Sequence, residues 1–264
     1  ASALTVRFAG EVDDEALAIE NYANSKEVRR WDRFTQLGVA AAVDAFKDSG
    51  LEGTDFDVNR AAVVTGTGVG GILTLEEQWT IYQEKGPRAV SPFFVPSMMA
   101  NAIAGHASII CGFAGVNINL TTACAAGTHA IGEAARLIWD GTADIVLSGG
   151  AEAGVTPLVV SAFARMGALS TRNDDPTLAS RPFDADRDGF VIAEGAGCVI
   201  MESLAHAKAR GANILAEVVG YGRSGDAHHI TAPLPDGSGA ARSMQMALDT
   251  AGINPSDVKH INAH

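Results

Sequence analysis

Residues 116–141 read VNINLTTACAAGTHAIGEAARLIWDG, and they carry the decisive pattern of this sequence. The run VNINLTTA predicts a strand, and the run AAGTHAIGEAARLIWDG predicts a helix that ends at Gly141. Cys124 lies at the change from strand to helix, between Ala123 and Ala125. Because these neighbours are small, the thiol of Cys124 is open to a reaction partner.

The rest of the chain continues the alternation of strands and helices. Apolar strands that alternate with helices are typical of a parallel sheet covered on both faces, so we predict an α/β fold. The helix over residues 101–112 is apolar nearly all round and is predicted to be buried. The other predicted elements are helices over residues 25–50, with Ser25 as N-cap, and 73–86, and strands over residues 60–68 and 143–153.

The composition excludes several classes of protein. The 264 residues are 47% hydrophobic and carry a formal net charge of −12, which disfavours binding to nucleic acid or an anionic membrane. No apolar run of about 18 residues is present to span a bilayer, and no signal-peptide pattern opens the chain. The three cysteines are far apart and lack metal spacing, which favours a reducing compartment. We therefore expect a soluble intracellular protein.

A weak internal repeat indicates two related halves. Residues 45–64 and 247–263 share a helix end, a glycine, an acidic connector, an Asp-Val pair and a strand-like run. We predict a first half over residues 1–213, which carries Cys124, and the start of a second half over residues 214–264. The opening strand-like run without an initiator Met, and the end directly after HINAH, predict a chain truncated at both ends.

Cys124 is the candidate nucleophile. An intracellular cysteine usually packs as a small hydrophobe, but a thiol at the first turn of a helix experiences the positive end of the helix dipole, which favours the thiolate. The backbone N–H groups there have no intrahelical partner and can stabilise an oxyanion. The pattern is like a nucleophile elbow with Cys in place of Ser.

Two histidines, His129 and His264, are candidates for a role in this chemistry, and their positions favour different interpretations. His264 follows a predicted strand, at the carboxyl end where ligand-contacting residues of open α/β sheets gather. A lone histidine is more often structural, so this position alone leaves its role open. His129 follows Cys124 by five residues, and we interpret it as a packing residue that points away from the thiol.

Two motifs imitate ligand sites. TGTGVGG, residues 65–71, contains G-x-G-x-x-G after a strand, but no second strand with a terminal acidic residue follows about 20 residues later. DADRDG, residues 184–189, imitates the start of a calcium loop, but Gly195 stands where a bidentate Glu is required and Glu194 is one place early. Neither a nucleotide nor a metal ion is predicted at these motifs.

The most basic cluster is KEVRRWDR, residues 26–33. On one continuous helix, Lys26, Arg29, Arg30 and Arg33 share a face. Such a face is usually solvated surface, but it can also serve as a docking patch for a small acidic partner.

Seven stretches, in order, resemble the condensing enzymes, specifically the type II β-ketoacyl-[acyl-carrier-protein] synthases. They span nearly the whole chain: WDRFTQLGVAA, TGTGVGG, SPFFVPSMMANAIAGH, TTACAAGTHAIG, GALSTRNDDPTLASRPFDADRDGFVIAEGAG, GDAHHITAP and HINAH. The resemblance implies a thiolase-like fold, with layered α-β-α-β-α architecture and duplicated halves. It also implies that the family's first strand precedes residue 1.

The resemblance implies a role for each matching position. Cys124 accepts the acyl chain, and His264 is the first of two histidines that assist decarboxylation of a malonyl thioester. The second histidine and an active-site lysine lie beyond residue 264, so the chain as given is expected to be inactive in condensation. The implied acyl-pocket residues are Val69, Phe94, Val95, Ala123 and Phe163, with Phe94 and Val95 reaching across a dimer interface. Pantetheine entry is implied for His229 and Thr231, and carrier-protein docking for Lys26, Arg29, Arg30 and Arg88. Ala89 follows Arg88 where relatives can carry a second basic residue, so that edge of the patch is expected to be weaker.

The implied activity is a decarboxylative Claisen condensation that elongates a fatty acyl chain by two carbons. The implied partners are acyl-carrier protein and a second copy of the chain, without cofactor or metal. The implied compartment is the cytoplasm, or a plastid or mitochondrion in a eukaryote.

Three alternatives remain open at this point. A polyketide ketosynthase has the same fold. A non-catalytic partner subunit, such as a chain-length factor, characteristically lacks the nucleophilic cysteine, so Cys124 counts against it. A nucleotide-binding oxidoreductase would rest on TGTGVGG alone.

Overall fold

The computed structural model describes residues 3–264, and the chain divides into two compact units, Ala1–Ser203 and Leu204–His264. The α-helices, numbered α1 to α10 in chain order, are Asp14–Leu17, Ser25–Val28, Arg33–Asp48, Ile72–Lys85, Phe94–Met98, Ala102–Cys111, Ala126–Trp139, Pro157–Arg165, Leu204–Ala209 and Ser238–Ala251. The strands, β1 to β4, are Ala61–Gly66, Asn117–Leu120, Ile145–Glu152 and Gly195–Glu202. Within residues 3–264, no helix is both long and apolar enough to cross a membrane.

A four-stranded sheet in the order β2-β1-β3-β4 organises the first unit. Strand β1 runs parallel to β2 and β3, with Val63 opposite Asn117 and Leu147. These three strands confirm the predicted α/β sheet. The fourth strand, β4, was not predicted from the sequence, and it runs antiparallel to β3. An antiparallel edge strand on an otherwise parallel sheet is common in α/β folds.

Helices cover both faces of this sheet, as the alternation of strands and helices predicts. Ala61 and Val63 of β1 pack against α3 and α6 in one core cluster. Ala62 and Val64 face the opposite way and pack against α7 in another cluster. Successive strand residues point to opposite faces, so a continuous apolar strand is buried on both sides. The first unit is therefore layered α-β-α.

The helix predicted over residues 25–50 is interrupted between α2 and α3, which corrects the sequence prediction. Asn24, not Ser25, accepts hydrogen bonds from the backbone at the start of α2. The buried Asp32 carboxylate accepts from the N–H of Phe34 at 3.2 Å and begins α3. Its second oxygen accepts from the N–H of Thr74 at 2.7 Å, a contact 42 residues away. This long-range bond favours the break over one continuous helix.

The buried helix predicted over residues 101–112 forms as α6, but only one of its faces is buried. Ala104 and Ala107 are fully buried against the sheet, whereas Ile109 is 79% exposed. An apolar sequence thus leaves an uncovered apolar face on α6, which corrects the prediction of complete burial.

The strands predicted at the two ends of the chain do not form. Ala1 and Ser2 lie outside the described residues, and residues 3–12 make only one bridge, between Gly10 and Ala193. Residues 258–264 contain no strand, because a strand needs a hydrogen-bonded neighbour and no ladder forms within the described second unit.

The second unit is built around α10. A Cβ on Gly220 would lie 2.2 Å from the carbonyl oxygen of Ala247, so residues 220–222 pack directly on this helix. Gly252 ends α10 in a left-handed conformation, as Gly50 does beyond α3. The matching glycines agree with the repeat at the local level, and the division of the chain into halves at residues 213 and 214 stays a prediction.

Candidate active site

Cys124 lies on a tight turn between β2 and α7, as the sequence pattern predicts. Residues Ala123–Ala125 form a single 3₁₀ turn, and α7 begins at Ala126. The preceding residue, Ala123, has a φ of 51°, a left-handed conformation that costs a non-glycine residue about 1 kcal/mol. Backbone strain of this kind clusters at functional sites. The Cys124 side chain is exposed.

Glycines in the sheet allow α7 to start directly above the strand ends. A Cβ on Gly66 would lie 2.4 Å from the carbonyl oxygen of Ala126. A Cβ on Gly150 would lie 2.9 Å from the carbonyl oxygen of Gly66 and 3.4 Å from the Cα of Gly127. Any larger residue at Gly66 would displace the helix start, so this glycine fixes where Cys124 is presented.

The turn determines which N–H groups can stabilise an oxyanion. The N–H of Ala125 donates to the carbonyl of Thr122 at 3.2 Å, and that of Ala126 donates to the carbonyl of Ala123. Two of the N–H groups at the start of this helix therefore already have acceptors within the turn. Within the described residues 3–264, the N–H of Cys124 itself has no hydrogen-bond acceptor. This N–H, together with the positive end of the α7 dipole, is the local source of oxyanion stabilisation.

The other two thiols lie in very different surroundings. Burial raises the pKa of the Cys111 thiol to about 11 and that of the Cys198 thiol to about 12. Both are therefore protonated at neutral pH, and a protonated thiol is a poor nucleophile. Of the three cysteines, only Cys124 is exposed.

His129 does more than pack, which corrects its interpretation from sequence. Its Nδ1 lies 2.7 Å from the hydroxyl oxygen of Thr122, seven residues earlier and directly before the Ala123–Ala125 turn. Thr122 and His129 thus form a hydrogen bond across the turn that carries Cys124. The i, i+7 spacing gave no signal for this contact, because the turn between β2 and α7 is not helical throughout.

The glycine-rich turn after β1 is occupied by a side chain of the chain itself. The Glu152 carboxylate, at the end of β3, accepts from the N–H of Gly68 at 2.6 Å and that of Val69 at 3.2 Å. It also accepts from the hydroxyl of Thr67 at 3.2 Å. A dinucleotide phosphate would need these same donors, so the geometry argues against a nucleotide-binding oxidoreductase. Sequence reasoning missed Glu152, although the end of a predicted strand was a signal for it.

This turn lies between the Cys124 turn and α5. A Cβ on Gly68 would lie 3.6 Å from the Cα of Ala123, and one on Gly71 would lie 2.6 Å from the Cα of Met98. Val69, predicted to line the acyl pocket, is 53% exposed on this turn. The predicted pocket residues Phe94 and Val95 belong to α5. The structure therefore joins the elements that carry Val69, Ala123 and the pair Phe94 and Val95.

The basic residues of the predicted docking patch divide into two groups. Lys26 and Arg29 are exposed around the end of α2, and Arg88 is exposed on the short 3₁₀ turn Pro87–Ala89. Arg30 lies against α5, where its guanidinium stacks 3.9 Å from the centroid of the Phe93 ring. None of these four cations forms an ion pair within the part of the chain that the structure describes.

Arg33 does not belong to this patch, which corrects the prediction of one shared helical face. Its guanidinium pairs with Asp14 at 2.5 Å and with Glu194 at 2.9 Å. Burial lowers the pKa of Arg33, and hydrogen bonds to the two carboxylates outweigh burial and raise it overall. Arg33 is a structural cation that joins α3 to residues near Gly195.

The remaining predicted residues lie elsewhere. Phe163, on α8, packs in a cluster with Val6 and Val160 and contacts the Phe190 ring edge-on at 5.5 Å. In the second unit, the Nδ1 of His229 accepts from the N–H groups of Thr231 and Ala232, at 3.2 and 3.0 Å. His264, also in the second unit, is exposed, and its backbone N–H donates to the Asn262 side chain. The roles assigned to Phe163, His229, Thr231 and His264 stay predictions.

Asp188 of the calcium-like motif, and Glu194 beyond it, have partners within the chain. Asp188 accepts from the hydroxyl of Ser170 at 2.7 Å and the N–H of Thr171 at 2.9 Å. These hydrogen bonds hold the pKa of Asp188 below its usual value. Glu194 is engaged by Arg33. Within residues 3–264, no group of three acidic, histidine or cysteine side chains is arranged to hold a metal ion.

Comparison with known proteins gives the family. Residues 3–207 match the model of the beta-ketoacyl synthase N-terminal domain, and residues 215–264 match that of the C-terminal domain. The 3-oxoacyl-[acyl-carrier-protein] synthase 2 of Vibrio cholerae is 50% identical over 260 residues, covering 98% of this chain and 62% of the relative. The chain belongs to the beta-ketoacyl synthase family.

Solved structures show the same fold. A beta-ketoacyl synthase from Burkholderia phymatum superposes with a TM-score of 0.87 at 34% identity, covering 99% of this chain and 63% of that one. A type II polyketide ketosynthase, in complex with its acyl-carrier protein, has a TM-score of 0.86 at 34% identity, with 97% and 62% covered. The chain thus has the ketosynthase fold and spans about 62% of the length of the Vibrio relative.

Proposed function

We propose that this chain is the nucleophile-bearing part of a 3-oxoacyl-[acyl-carrier-protein] synthase that elongates fatty acyl chains by two carbons. The observation that carries the proposal is the exposed Cys124 on a strained turn at the start of α7. The relative from Vibrio cholerae carries this activity in its name and is similar over 98% of the chain.

The proposed first half-reaction transfers an acyl chain to Cys124. The thiolate attacks the carbonyl carbon of an acyl thioester on the carrier protein, and negative charge develops on the carbonyl oxygen. The Cys124 N–H and the α7 dipole stabilise this oxyanion, and each such donor is worth about 10²–10³ in rate. The bond between the carbonyl carbon and the carrier sulfur breaks, the carrier thiolate takes up the proton that Cys124 released to solvent, and the acyl chain remains on Cys124 as a thioester.

The proposed second half-reaction forms the carbon–carbon bond. A malonyl thioester loses carbon dioxide, and the electron pair of the broken bond forms an enolate. His264 is proposed to donate a hydrogen bond to the enolate oxygen. The enolate carbon attacks the Cys124 thioester, the Cys124 thiolate leaves, and a β-ketoacyl thioester is released. Loss of carbon dioxide drives the reaction, so no cofactor or metal is required.

The proposed partner is an acyl-carrier protein. On this chain, the proposed docking surface comprises Lys26, Arg29, Arg30 and Arg88. These cations form no ion pair within residues 3–264, so they are available to an acidic partner. The similar polyketide ketosynthase is described in complex with an acyl-carrier protein. His229 and Thr231 are proposed to flank the pantetheine arm.

A second copy of the chain is the other proposed partner. Strand β2 pairs only with β1 among the described residues, so its outer edge is unpaired. Exposed apolar side chains surround this edge strand and the end of α6, namely Ile109, Ile110 and Ile118. An unpaired edge beside exposed apolar residues is suited to strand pairing with an identical copy. Phe94 and Val95 would then approach the partner's acyl pocket. We place this homodimer in the cytoplasm.

A polyketide ketosynthase is the second candidate function, and one assay separates the two. The full-length protein is given fatty acyl-carrier protein or polyketide acyl-carrier protein, each with the matching malonyl-carrier protein. The proposal expects faster elongation with the fatty acid set. Faster elongation with the polyketide set would favour the second candidate, and no elongation with either set would contradict both.

A further inference from the structure

Glu152 is a carboxylate whose hydrogen bonds all go to one turn. It lies at the end of β3, partly buried, and forms no ion pair within the described part of the chain. Its Oε2 accepts from the N–H groups of Gly68 and Val69, at 2.6 and 3.2 Å, and its Oε1 accepts from the Thr67 hydroxyl at 3.2 Å. Hydrogen bonds from backbone N–H groups to a carboxylate are short and strong, so they fix the turn against Glu152.

The same carboxylate also holds Gly70, indirectly, through the Thr67 hydroxyl. The hydroxyl of Thr67 accepts from the N–H of Gly70 at 3.2 Å while it donates to Glu152. Four consecutive residues, 67–70, are thus held by one side chain that is more than 80 residues away in sequence. Glycine-rich turns of this shape commonly bind an external phosphate, whereas here the chain supplies its own anion.

The position of this turn decides what the carboxylate controls. On one side, Gly68 approaches Ala123, next to the nucleophile, because a Cβ on Gly68 would lie 3.6 Å from the Ala123 Cα. On the other side, the N–H of Gly71 donates to the carbonyl of Met98, at the end of α5, at 3.2 Å. Between these contacts the Val69 side chain projects outward and is 53% exposed. A shift of the turn would therefore move Val69 relative to Cys124.

We propose that Glu152 is a positioning residue for acyl chain selection. It holds Val69 at a fixed place beside the Cys124 turn and so determines which acyl chain lengths the Cys124 thioester accommodates. This inference rests on the proposed acyl transfer to Cys124.

The test uses Glu152→Gln in the full-length protein. Gln keeps the size of the side chain but can no longer accept at both oxygens, so one donor of the turn loses its partner. For each variant, the rate of Cys124 alkylation by iodoacetamide is measured. The value of kcat/KM is also measured for acyl transfer from carrier proteins loaded with short, medium and long acyl chains. The ratio between the best and worst chain length is the readout.

The expected result separates positioning from a general structural role. A hydrogen bond to a charged group contributes enough to change a rate ratio about tenfold. In Glu152→Gln, the ratio of kcat/KM between the best and the worst acyl chain length should therefore be about tenfold smaller than in wild type. Cys124 alkylation should stay within about twofold of wild type, because the hydrogen bonds of Glu152 go to Thr67, Gly68 and Val69 and not to the Ala123–Ala125 turn.

Asp188→Asn is the matched control. Its carboxylate also accepts from a hydroxyl and a backbone N–H, those of Ser170 and Thr171. Asp188→Asn should lower stability without changing the chain-length ratio. If Glu152→Gln does not fold, Thr67→Val removes the relay to Gly70 with little change in shape and should narrow the ratio in the same direction.

Two outcomes overturn the inference, and they are distinguishable. If wild type acylates Cys124 and a folded Glu152→Gln or Thr67→Val keeps the wild-type ratio, Glu152 does not position the acyl chain. If wild type acylates Cys124 from no carrier protein, the proposed function fails and the inference fails with it.

Discussion

The guanidinium of Arg30 stacks 3.9 Å from the centroid of the Phe93 ring. The hydroxyl of Ser97 also donates to the backbone carbonyl of Arg30 at 2.5 Å. These two contacts join a cation of the proposed docking surface to α5, which in turn contacts the glycine-rich turn through Met98 and Gly71. The proposed docking surface and the turn that carries Cys124 are therefore connected by packed residues of one unit.

The Arg30–Phe93 stacking predicts a specific effect on carrier-protein binding. Phe93→Leu keeps an apolar side chain but removes the aromatic face that orders the guanidinium. A cation–π contact at an exposed site is worth about 0.5–1 kcal/mol, so KM for the acyl-carrier protein should rise about two- to fivefold at unchanged kcat. Steady-state kinetics at low salt measures this change.

Arg30→Ala provides the comparison for Phe93→Leu. It should raise KM at least as much and make KM less dependent on salt. An unchanged KM in Phe93→Leu, beside a raised KM in Arg30→Ala, would show that the stacking does not order the cation.

The Thr122–His129 hydrogen bond predicts that Thr122→Val slows reactions of Cys124. The loss of a neutral hydrogen bond of about 1 kcal/mol loosens the turn, and the rate of Cys124 alkylation should fall about fivefold. Ser161→Ala is the matched control, since its hydroxyl donates to a backbone carbonyl within α8. Equal alkylation rates in Thr122→Val and wild type would rule out this role for the hydrogen bond.

The close approach of Gly66 to Ala126 predicts that Gly66→Ala is destabilising. A methyl group there would meet the Ala126 carbonyl oxygen at 2.4 Å, and overpacking of this kind costs about 1–3 kcal/mol. The start of α7 should shift, so that Cys124 reacts more slowly. Urea unfolding and alkylation kinetics measure both effects.

Gly105→Ala is the control for Gly66→Ala. No heavy atom lies within 4 Å of a Cβ placed on Gly105 in α6, so alanine should stabilise the helix by about 0.5–1 kcal/mol. A Gly66→Ala protein as stable as Gly105→Ala would contradict the packing described at the α7 start.

The raised pKa values of Cys111 and Cys198 predict a loss of stability at alkaline pH. Burial raises the pKa of Cys111 from 9.0 to about 11 and that of Cys198 from 9.0 to about 12. Below pH 9 both thiols are protonated in the folded and unfolded states, so their contribution is constant. Above pH 9 the unfolded thiols release protons that the folded ones retain, so the free energy of unfolding falls as pH rises.

Urea unfolding between pH 8 and 11 checks this dependence, with the Cys111→Ala/Cys198→Ala double variant as control. The double variant should be less stable at pH 8 and should show a shallower decline with pH. Parallel curves for the two proteins would mean that these thiols do not account for the alkaline loss.

Local patterns predicted the elements that present Cys124. Strand β1 is an uninterrupted apolar run, Ala61–Gly66, so its burial could be predicted. Strand β2 and helix α7 follow each other directly, so their order could be predicted as well. Glu152 and the partner of Asp32 were missed because each bond spans more than 40 residues. The break before α3 was missed for the same reason, since the 3.6-residue periodicity continues through residues 29–32. The direction of β4 depends on the long connection over residues 153–194, which carries no local signal of strand polarity.

Acylation of Cys124 by a fatty acyl-carrier protein is the decisive test of the proposed acyl transfer. The full-length protein is incubated with a fatty acyl-carrier protein, and its peptides are analysed by mass spectrometry before and after iodoacetamide treatment. We expect the acyl chain on Cys124 alone. Incubation with the acyl-carrier protein should protect Cys124 from alkylation by iodoacetamide, and Cys111 and Cys198 should carry no label at neutral pH. An unacylated Cys124 that reacts no faster than Cys111 and Cys198 would contradict the account.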